Sequence, residues 1–400
     1  MSELFRSENV VARIVPGADP DRCVITFDNY GIGHGFERQG FGEAFLEARG
    51  ITAIHVMGRR EDWYQYAEMP EVSAAVRHAV APFSRIMTYG SSMGGYAALR
   101  FADAMGANAA LAMSPQYSLD PEAGVTDRRW SQDTNRIGWR PELRGPIHCD
   151  FKPVVVYDPV GPDGWHGRRV AQDLPIDAIR LPHTAHPVTT YLGEVGLLAP
   201  LVFETLDGVL DAHAFEAKAR RLRGTSGVYL GELSGLQPAH RPRTAIGLAR
   251  KALEVAPGHV HGMLALARRL TELGDHDEAL ALHEKIQAVA YGAHVYLVHY
   301  GEALLKAGQT EPGRAIADRI IAEAPDQAHL HVWHALALGS VGDYVTAMRS
   351  VETAMTLDPE NAAYLKVHRK LRRADAEVRA RARRDVWMKR VRRIRRAVIG

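Results

Sequence analysis

Cysteine is nearly missing: Cys23 and Cys149 are the two in 400 residues. Two are too few for a disulfide framework or a cysteine-ligated zinc site, which suits a reducing cytoplasm. No stretch approaches the roughly 18 consecutive apolar residues of a spanning helix. The opening Met1-Ser2-Glu3-Leu4-Phe5-Arg6-Ser7-Glu8 lacks the apolar core and small-residue cleavage site of a secretory signal, so none is expected. Lysine is scarce, 8 against 41 arginines, a bias that speaks of base composition more than of mechanism. What the chain does have is apolar content, 46% of residues, ample for packed cores. That excludes a disordered chain, a small stapled scaffold and a collagen-like fibre.

The net charge of +2 conceals an asymmetry. From Lys366 onward there are 15 basic and 3 acidic residues, while the preceding 365 residues hold 34 basic and 44 acidic ones. An acidic body therefore carries a basic tail.

Residues 20–200 alternate short apolar runs with helical patterns. The runs Cys23–Phe27, Thr52–Val56, Arg85–Tyr89, Asn108–Ala112, Val154–Tyr157 and Ala178–Leu181 lack strict alternation, as strands buried on both faces do. Helical patterns lie between them at 41–48, 72–80, 95–105 and 167–173. The alternation predicts a doubly wound α/β domain with a mostly parallel sheet, whose ligands sit at the carboxyl ends of its strands.

After about residue 210 the strand candidates stop and a period of 34 residues begins. Gly274, Gly308 and Gly342 keep it, as do Pro325 and Pro359. Pro257 lies two periods before Pro325, with Tyr291 in the slot between. Small residues Ala267, Gly301 and Ala335 share one position, and Ala279, Gly313 and Ala347 another, where paired helices must approach closely. A helix-turn-helix of this length resembles the tetratricopeptide repeat (TPR). Units are expected at 260–293, 294–327 and 328–361, after a degenerate one whose second helix spans 243–255. The resemblance implies an all-α solenoid whose groove takes a protein or peptide partner.

One motif carries chemistry. The strand 85–89 runs into Gly90-Ser91-Ser92-Met93-Gly94-Gly95 and then a helical stretch, so G-x-S-x-G sits at a strand-to-helix turn. Such a turn lifts the Ser92 hydroxyl above the sheet beside the free N–H groups of a helix N-terminus. Gly90 and Gly94 remove side chains that would collide across it. A Gly/Ser-rich turn without chemistry is the plainer reading of the same letters. The segment Gly90–Tyr96 resembles the nucleophile elbow of the α/β-hydrolase superfamily, a resemblance covering about residues 10–205.

The resemblance implies the order nucleophile, acid, histidine. Asp158 follows the strand 154–157, with Asp163 in Gly161-Pro162-Asp163-Gly164 as its rival. His186 follows Ala185 after the strand 178–181, with His183 as its rival. Ser92 is then the nucleophile, Asp158 the orienting carboxylate and His186 the base. The oxyanion hole would use the Met93 and Tyr30 backbone N–H groups, although the loop Phe27-Asp28-Asn29-Tyr30-Gly31 departs from the family's histidine-glycine pattern.

The insertion 114–150 is long, irregular and aromatic, with Tyr117, Trp130, Trp139, Arg128, Arg129 and Arg140. It reads as a lid. With Trp63-Tyr64-Gln65-Tyr66 it lines the substrate pocket, or else covers the sheet edge. Residues 366–400 read as one helix with a stripe of Trp387, Val391, Ile394 and Val398 among Arg384, Lys389, Arg390, Arg392, Arg393, Arg395 and Arg396. That suits an anionic membrane surface or acidic partner, or a helix capping the solenoid. No nucleic-acid signature is present.

The expected organisation is therefore an α/β-hydrolase-like domain over 1–205, a TPR solenoid over 210–362 and a basic tail over 363–400. The expected function is a cytoplasmic serine hydrolase, esterase-like, or an acyltransferase to a glycan or other acceptor. It would work through an acyl-enzyme on Ser92, with no metal or organic cofactor, at a site recruited by a protein partner. The alternative is a non-catalytic TPR adaptor in which the hydrolase-like domain is scaffold.

Overall fold

The computed structural model describes residues 2–125, 127, 129–238, 240–290 and 293–399, and at 131, 132 and 390–399 the backbone alone. The chain divides into two compact units, residues 1–233 with 254–256, and residues 234–253 with 257–400.

The first unit is built on eight strands: β1 (Ser2–Arg6), β2 (Val10–Val15), β3 (Arg22–Phe27), β4 (Thr52–Gly58), β5 (Arg85–Ser91), β6 (Ala109–Met113), β7 (Val154–Tyr157) and β8 (Asp177–Arg180). Their order is β1-β2-β4-β3-β5-β6-β7-β8. From β4 to β8 the sheet is parallel. The pairs β1–β2 and β2–β4 are antiparallel, so the sheet is mixed and not wholly parallel. The two extra strands precede the first expected one. Edge strand β1 is polar and half-wetted, and carries no apolar run to announce it.

Helices α1 (Glu43–Glu47), α2 (Met69–Val80), α3 (Met93–Arg100), α4 (Ser131–Arg136), α5 (Asp163–Asp173), α6 (Val188–Glu194), α7 (Leu198–Leu206) and α8 (Ala212–Leu222) complete the unit, with α9 (Gly227–Gly235) at its end. The period of a strand sorts them into two layers. Cys23, Ile25 and Phe27 of β3 share a core with Val72 and Val76 of α2, Ala97 and Ala98 of α3, and Phe101 just after α3. Thr26 points the other way, to buried His55, whose ring approaches Glu43 of α1. Phe45 of α1 stacks on Phe203 of α7 with ring centroids 5.2 Å apart, which puts α7 in the same layer. The unit does not end near 205, because Glu216 of α8 accepts from the Arg180 N–H and Tyr191 of α6 donates to the Ala219 carbonyl.

After β3 the chain builds β4 on one side, then crosses to β5 on the other. The crevice beyond the carboxyl ends of β3 and β5 is the switch point where doubly wound sheets hold ligands. The loop 28–42 and Ser92 flank it.

The second unit is helical throughout its described residues. It holds α10 (Pro242–Val255), α11 (Val260–Leu273), α12 (His276–Val289), α13 (His294–Lys306), α14 (Thr310–Glu323), α15 (Ala328–Ser340), α16 (Tyr344–Leu357) and α17 (Ala362–Ile399). Gly274, Gly308 and Gly342 end the first helix of each hairpin at φ of 83°, 78° and 85°, which is why glycine keeps the period. Close approach explains the small residues: a Cβ on Gly313 would lie 2.7 Å from the Leu305 side chain. Tyr291 lies outside the described residues.

The start of α17 caps the last hairpin through Leu371, with Tyr364 and Val367, against Ala335, Leu338, Ala347 and Val351. Of the expected stripe, Trp387 is the one residue whose side chain is described. Trp387 is 61% exposed. The side chains of Arg390, Val391, Arg392, Arg393, Ile394, Arg395, Arg396 and Val398 lie outside the described residues. No described helix is long and apolar enough to cross a membrane.

Candidate active site

Strand β5 ends at Ser91 and α3 begins at Met93, leaving Ser92 alone to make the turn at φ 57°, ψ −118°. That is a strained backbone for a residue with a Cβ. The turn is compact because its flanks have no side chains. A Cβ on Gly90 would run into the Gly94 carbonyl, and one on Gly94 into the Phe27 carbonyl at the end of β3.

Ser92 Oγ lies 2.9 Å from His186 Nε2, and His186 Nδ1 lies 2.8 Å from Asp163 Oδ2. The hydrogen positions follow from donor chemistry. The Trp63 indole N–H can only donate and faces Gln116 Oε1 at 3.1 Å, so the Gln116 amide nitrogen is the end that faces Ser92 Oγ, at 3.2 Å. With that donor on its lone pair, Ser92 Oγ sends its own hydrogen to His186 Nε2. The other ring nitrogen then carries the proton and donates to Asp163.

The carboxylate that meets His186 is thus Asp163, not the expected Asp158. Asp158 accepts from the backbone N–H groups of Val160, Thr184 and Ala185, and so shapes the loop that presents His186. In that loop His183 and Ala185 have positive φ, 63° and 58°. The rival His183 is turned away, into a separate cavity with Tyr191, Arg220, Arg223 and Tyr229. Asp163 opens α5 and is buried, with its second oxygen held 2.6 Å from Arg129 Nη2. Burial pushes its pKa up, but the His186 hydrogen bond and charge, with the Arg129 guanidinium, outweigh that and hold it below the ordinary aspartate value.

Arg129 also pairs with Asp127, whose carboxylate meets His166 Nε2 at 3.2 Å. His166 Nδ1 accepts from the Tyr117 N–H. The insertion is thereby fastened to α5 at two points. Its Trp130 lies against His186, with centroids 5.3 Å apart, and packs on Tyr30 and Trp63. Arg128 lies outside the described residues. Tyr117 is buried in a separate core with Leu99, Val155 and Tyr157, and Trp139 bonds within the insertion to the Thr134 carbonyl, so neither lines the site. Trp63 and Tyr64 sit beneath it, fully buried.

A cavity of about 320 Å³ opens at this point, lined by Asn29, Tyr30, Phe41, Ser91, Ser92, Trp130, His186, Pro187 and Thr189. The Met93 N–H belongs to the first turn of α3, where no helical acceptor is available. Tyr30, in the loop after β3, borders the same cavity, and its hydroxyl donates to Asp133 of the insertion.

Sequence reasoning missed Gln116 and the role of Arg129. Gln116 lies three residues past the end of β6, the strand beside β5, so its place near the sheet's carboxyl edge was readable from topology. Among the described residues one group, half-buried Asp103 with exposed His148 and Asp150, has the composition of a cation site; His148 Nδ1 is hydrogen-bonded to Asp103 at 2.6 Å.

No family model matches the chain, and neither does any curated protein. Solved structures do. A thermophilic TPR protein of Thermus thermophilus matches at 16% identity over 46% of this chain and 97% of its own, with TM-score 0.35. YrrB, described as a TPR protein with an unusual peptide-binding site, matches at 15% over 39% and 80%, with TM-score 0.30. The first TPR of Spaghetti (RPAP3), bound to an HSP90 peptide, matches at 15% over 29% and 93%, with TM-score 0.25. The repeat in this chain stands on its own geometry, three helical hairpins at a 34-residue period with left-handed glycines at the turns. The second unit is a TPR-like helical region.

Proposed function

We propose that the first unit is an α/β-hydrolase-type serine hydrolase, or an acyltransferase of the same chemistry, and that the helical repeat binds a protein or peptide that brings the enzyme to its substrate. The observation carrying the catalytic reading is the chain Gln116–Ser92–His186–Asp163, with a serine at a strained turn and one consistent set of protons. Ser92 Oγ attacks an acyl carbonyl while its proton passes to His186 Nε2. The oxyanion draws on the Met93 and Tyr30 N–H groups. His186 then gives its proton to the departing alkoxide as the carbon–oxygen bond breaks. A water, or the hydroxyl of a glycan or other acceptor, repeats the sequence in reverse on the acyl-enzyme. Asp163 fixes the tautomer and balances the imidazolium charge.

The second reading is an adaptor with a hydrolase-like scaffold. Its support is the repeat itself. The matching structures named above are repeat proteins, two of them described with a bound peptide or a peptide-binding site. None lends support to catalysis, which rests on the site geometry. Intact-protein mass spectrometry after a fluorophosphonate separates the two. The catalytic reading expects one adduct, on Ser92; an unlabelled folded protein leaves the adaptor.

A further inference from the structure

Away from the active site, one concavity of the first unit gathers positive charge. It is the cavity of about 300 Å³ toward which His183 turns; Arg220 of α8 and Arg223 line it, and no acidic residue does. These groups meet around Tyr229 of α9. The Arg223 guanidinium carbon lies 5.7 Å from the centre of the Tyr229 ring, and the His183 ring stands edge-on to it at 6.3 Å. No carboxylate among the described residues pairs with Arg223. Arg220 Nη2 meets Glu216 at 2.9 Å, which leaves other N–H groups of that guanidinium for a ligand. Both arginines are exposed, so a solute can reach them. The floor is apolar and aromatic: Leu181, Tyr191 and Tyr229 are buried, and the Tyr191 hydroxyl already donates to the Ala219 carbonyl.

We propose that this cavity is a second binding site, for a small organic anion whose carboxylate or phosphate head sits among Arg220, Arg223 and His183 and whose apolar body rests on Leu181, Tyr229 and Leu233. A guanidinium fork matches two oxygens of either head, which is the chemistry the two classes share. A bare inorganic anion would leave the aromatic floor without a partner, and a neutral body would leave the converging charge without one. At the small end of ligand pockets, the cavity has room for about one ring. The segment 181–191 lies between this site and the catalytic one. Residues 181–184 and Tyr191 line the first, while His186, Pro187 and Thr189 line the second. The anion therefore rests against the loop that carries His186, yet its binding requires nothing of the catalytic reading.

Isothermal titration calorimetry of the full chain with benzoate and with phenyl phosphate tests the site, and the two arms tell which head it takes. Benzamide, the uncharged analogue of benzoate, is the control. The expected result is saturable binding of at least one anion and none of benzamide. Affinity should fall about tenfold or more in Arg223→Gln and in Arg220→Gln, as loss of a hydrogen bond from a charged group implies, and return in part in Arg223→Lys. His186→Ala should bind as wild type does, and so should Lys218→Gln, which removes an exposed charge of α8 outside the cavity. Thermal unfolding of each variant reports an intact fold. Unchanged affinity in both folded glutamine variants overturns the proposal and moves the anions to another basic surface, such as the tail. Loss of binding in His186→Ala overturns it by placing them in the catalytic cavity. Absence of binding to wild type overturns it outright. In each case the assignment of Ser92 is left standing, because none of these readouts involves turnover.

Discussion

Replacing Asp163 by asparagine tests the proposed chemistry where the structure makes the outcome most definite. The asparagine side chain has one acceptor and one donor end, and its two neighbours compete for the acceptor. Arg129 can only donate, and it lies 2.6 Å from one oxygen. The amide oxygen must therefore face Arg129, which turns the amide N–H₂ toward His186 Nδ1. That nitrogen becomes an acceptor, the ring proton moves to Nε2, and the base facing Ser92 is lost. The expected loss in kcat is about 10³–10⁴, or roughly 4–5.5 kcal/mol of barrier. Asp158→Asn should instead act on stability. It removes one carboxylate oxygen from the N–H groups of Val160, Thr184 and Ala185, costing about 1–3 kcal/mol with turnover within about tenfold. The assay is kcat/KM on a short nitrophenyl ester beside thermal unfolding of each variant. A double variant sharpens it: with Arg129→Met added to Asp163→Asn, the introduced amide is free to turn, and part of the lost rate should return. If Asp158→Asn is the inactive enzyme, or the double variant is slower than Asp163→Asn alone, the tautomer argument fails.

Ser92→Ala should abolish fluorophosphonate labelling with no change in melting temperature; an adduct surviving on Ser91 would refute the assignment. Burial, with the Arg13 charge behind it, lowers the His55 pKa from 6.5 to about 4, so between those values the unfolded chain binds a proton that the folded one refuses. Stability should be intact above about pH 6.5 and fall by about 3 kcal/mol as pH drops through 4, a slope that His55→Gln should flatten in acid denaturation curves. Leu371→Ala should destabilise the helical unit by about 2–4 kcal/mol in denaturant titration, whereas Trp387→Ala should leave it within about 0.5 kcal/mol. If the basic tail engages anionic surfaces, phosphatidylglycerol vesicles should retain the protein at low salt and release it at high salt, since charges are screened beyond about 8 Å at physiological ionic strength; equal retention on neutral vesicles would end that reading.

Where the sequence was legible, a local pattern and a long-range consequence coincided. The run 85–89 with its glycines at 90 and 94 stated both the strand and the turn, because no other residues fit where Gly94 passes under the Phe27 carbonyl. The repeat was legible for a similar reason: φ near +80° at 274, 308 and 342 leaves glycine as the unstrained choice. What was not legible depended on where chain segments meet in space. Tyr364, Val367 and Leu371 at the start of the last helix pack on the last hairpin, and nothing in their local pattern set them apart from the rest of that helix.

The carboxylate beside His186 shows most plainly why residue pattern alone could not decide. Gly161-Pro162-Asp163-Gly164 reads as a turn, and the helical pattern after it begins only at 167. In the folded chain the helix starts at Asp163, and Gly164 is there because a Cβ would strike the Pro159 carbonyl. This glycine marks a close approach of two backbones, which in sequence has the same signature as a bend. With the helix start moved back by one turn, a loop aspartate becomes a first-turn aspartate, where the helix dipole favours its charge. Asp158 has the strand-end position that the resemblance assigns to the histidine's partner. Its two oxygens are instead committed to three backbone N–H groups of the loops around His186. Two aspartates five residues apart thus divide the work: one fixes the loop that carries His186, and the other fixes the proton on its ring.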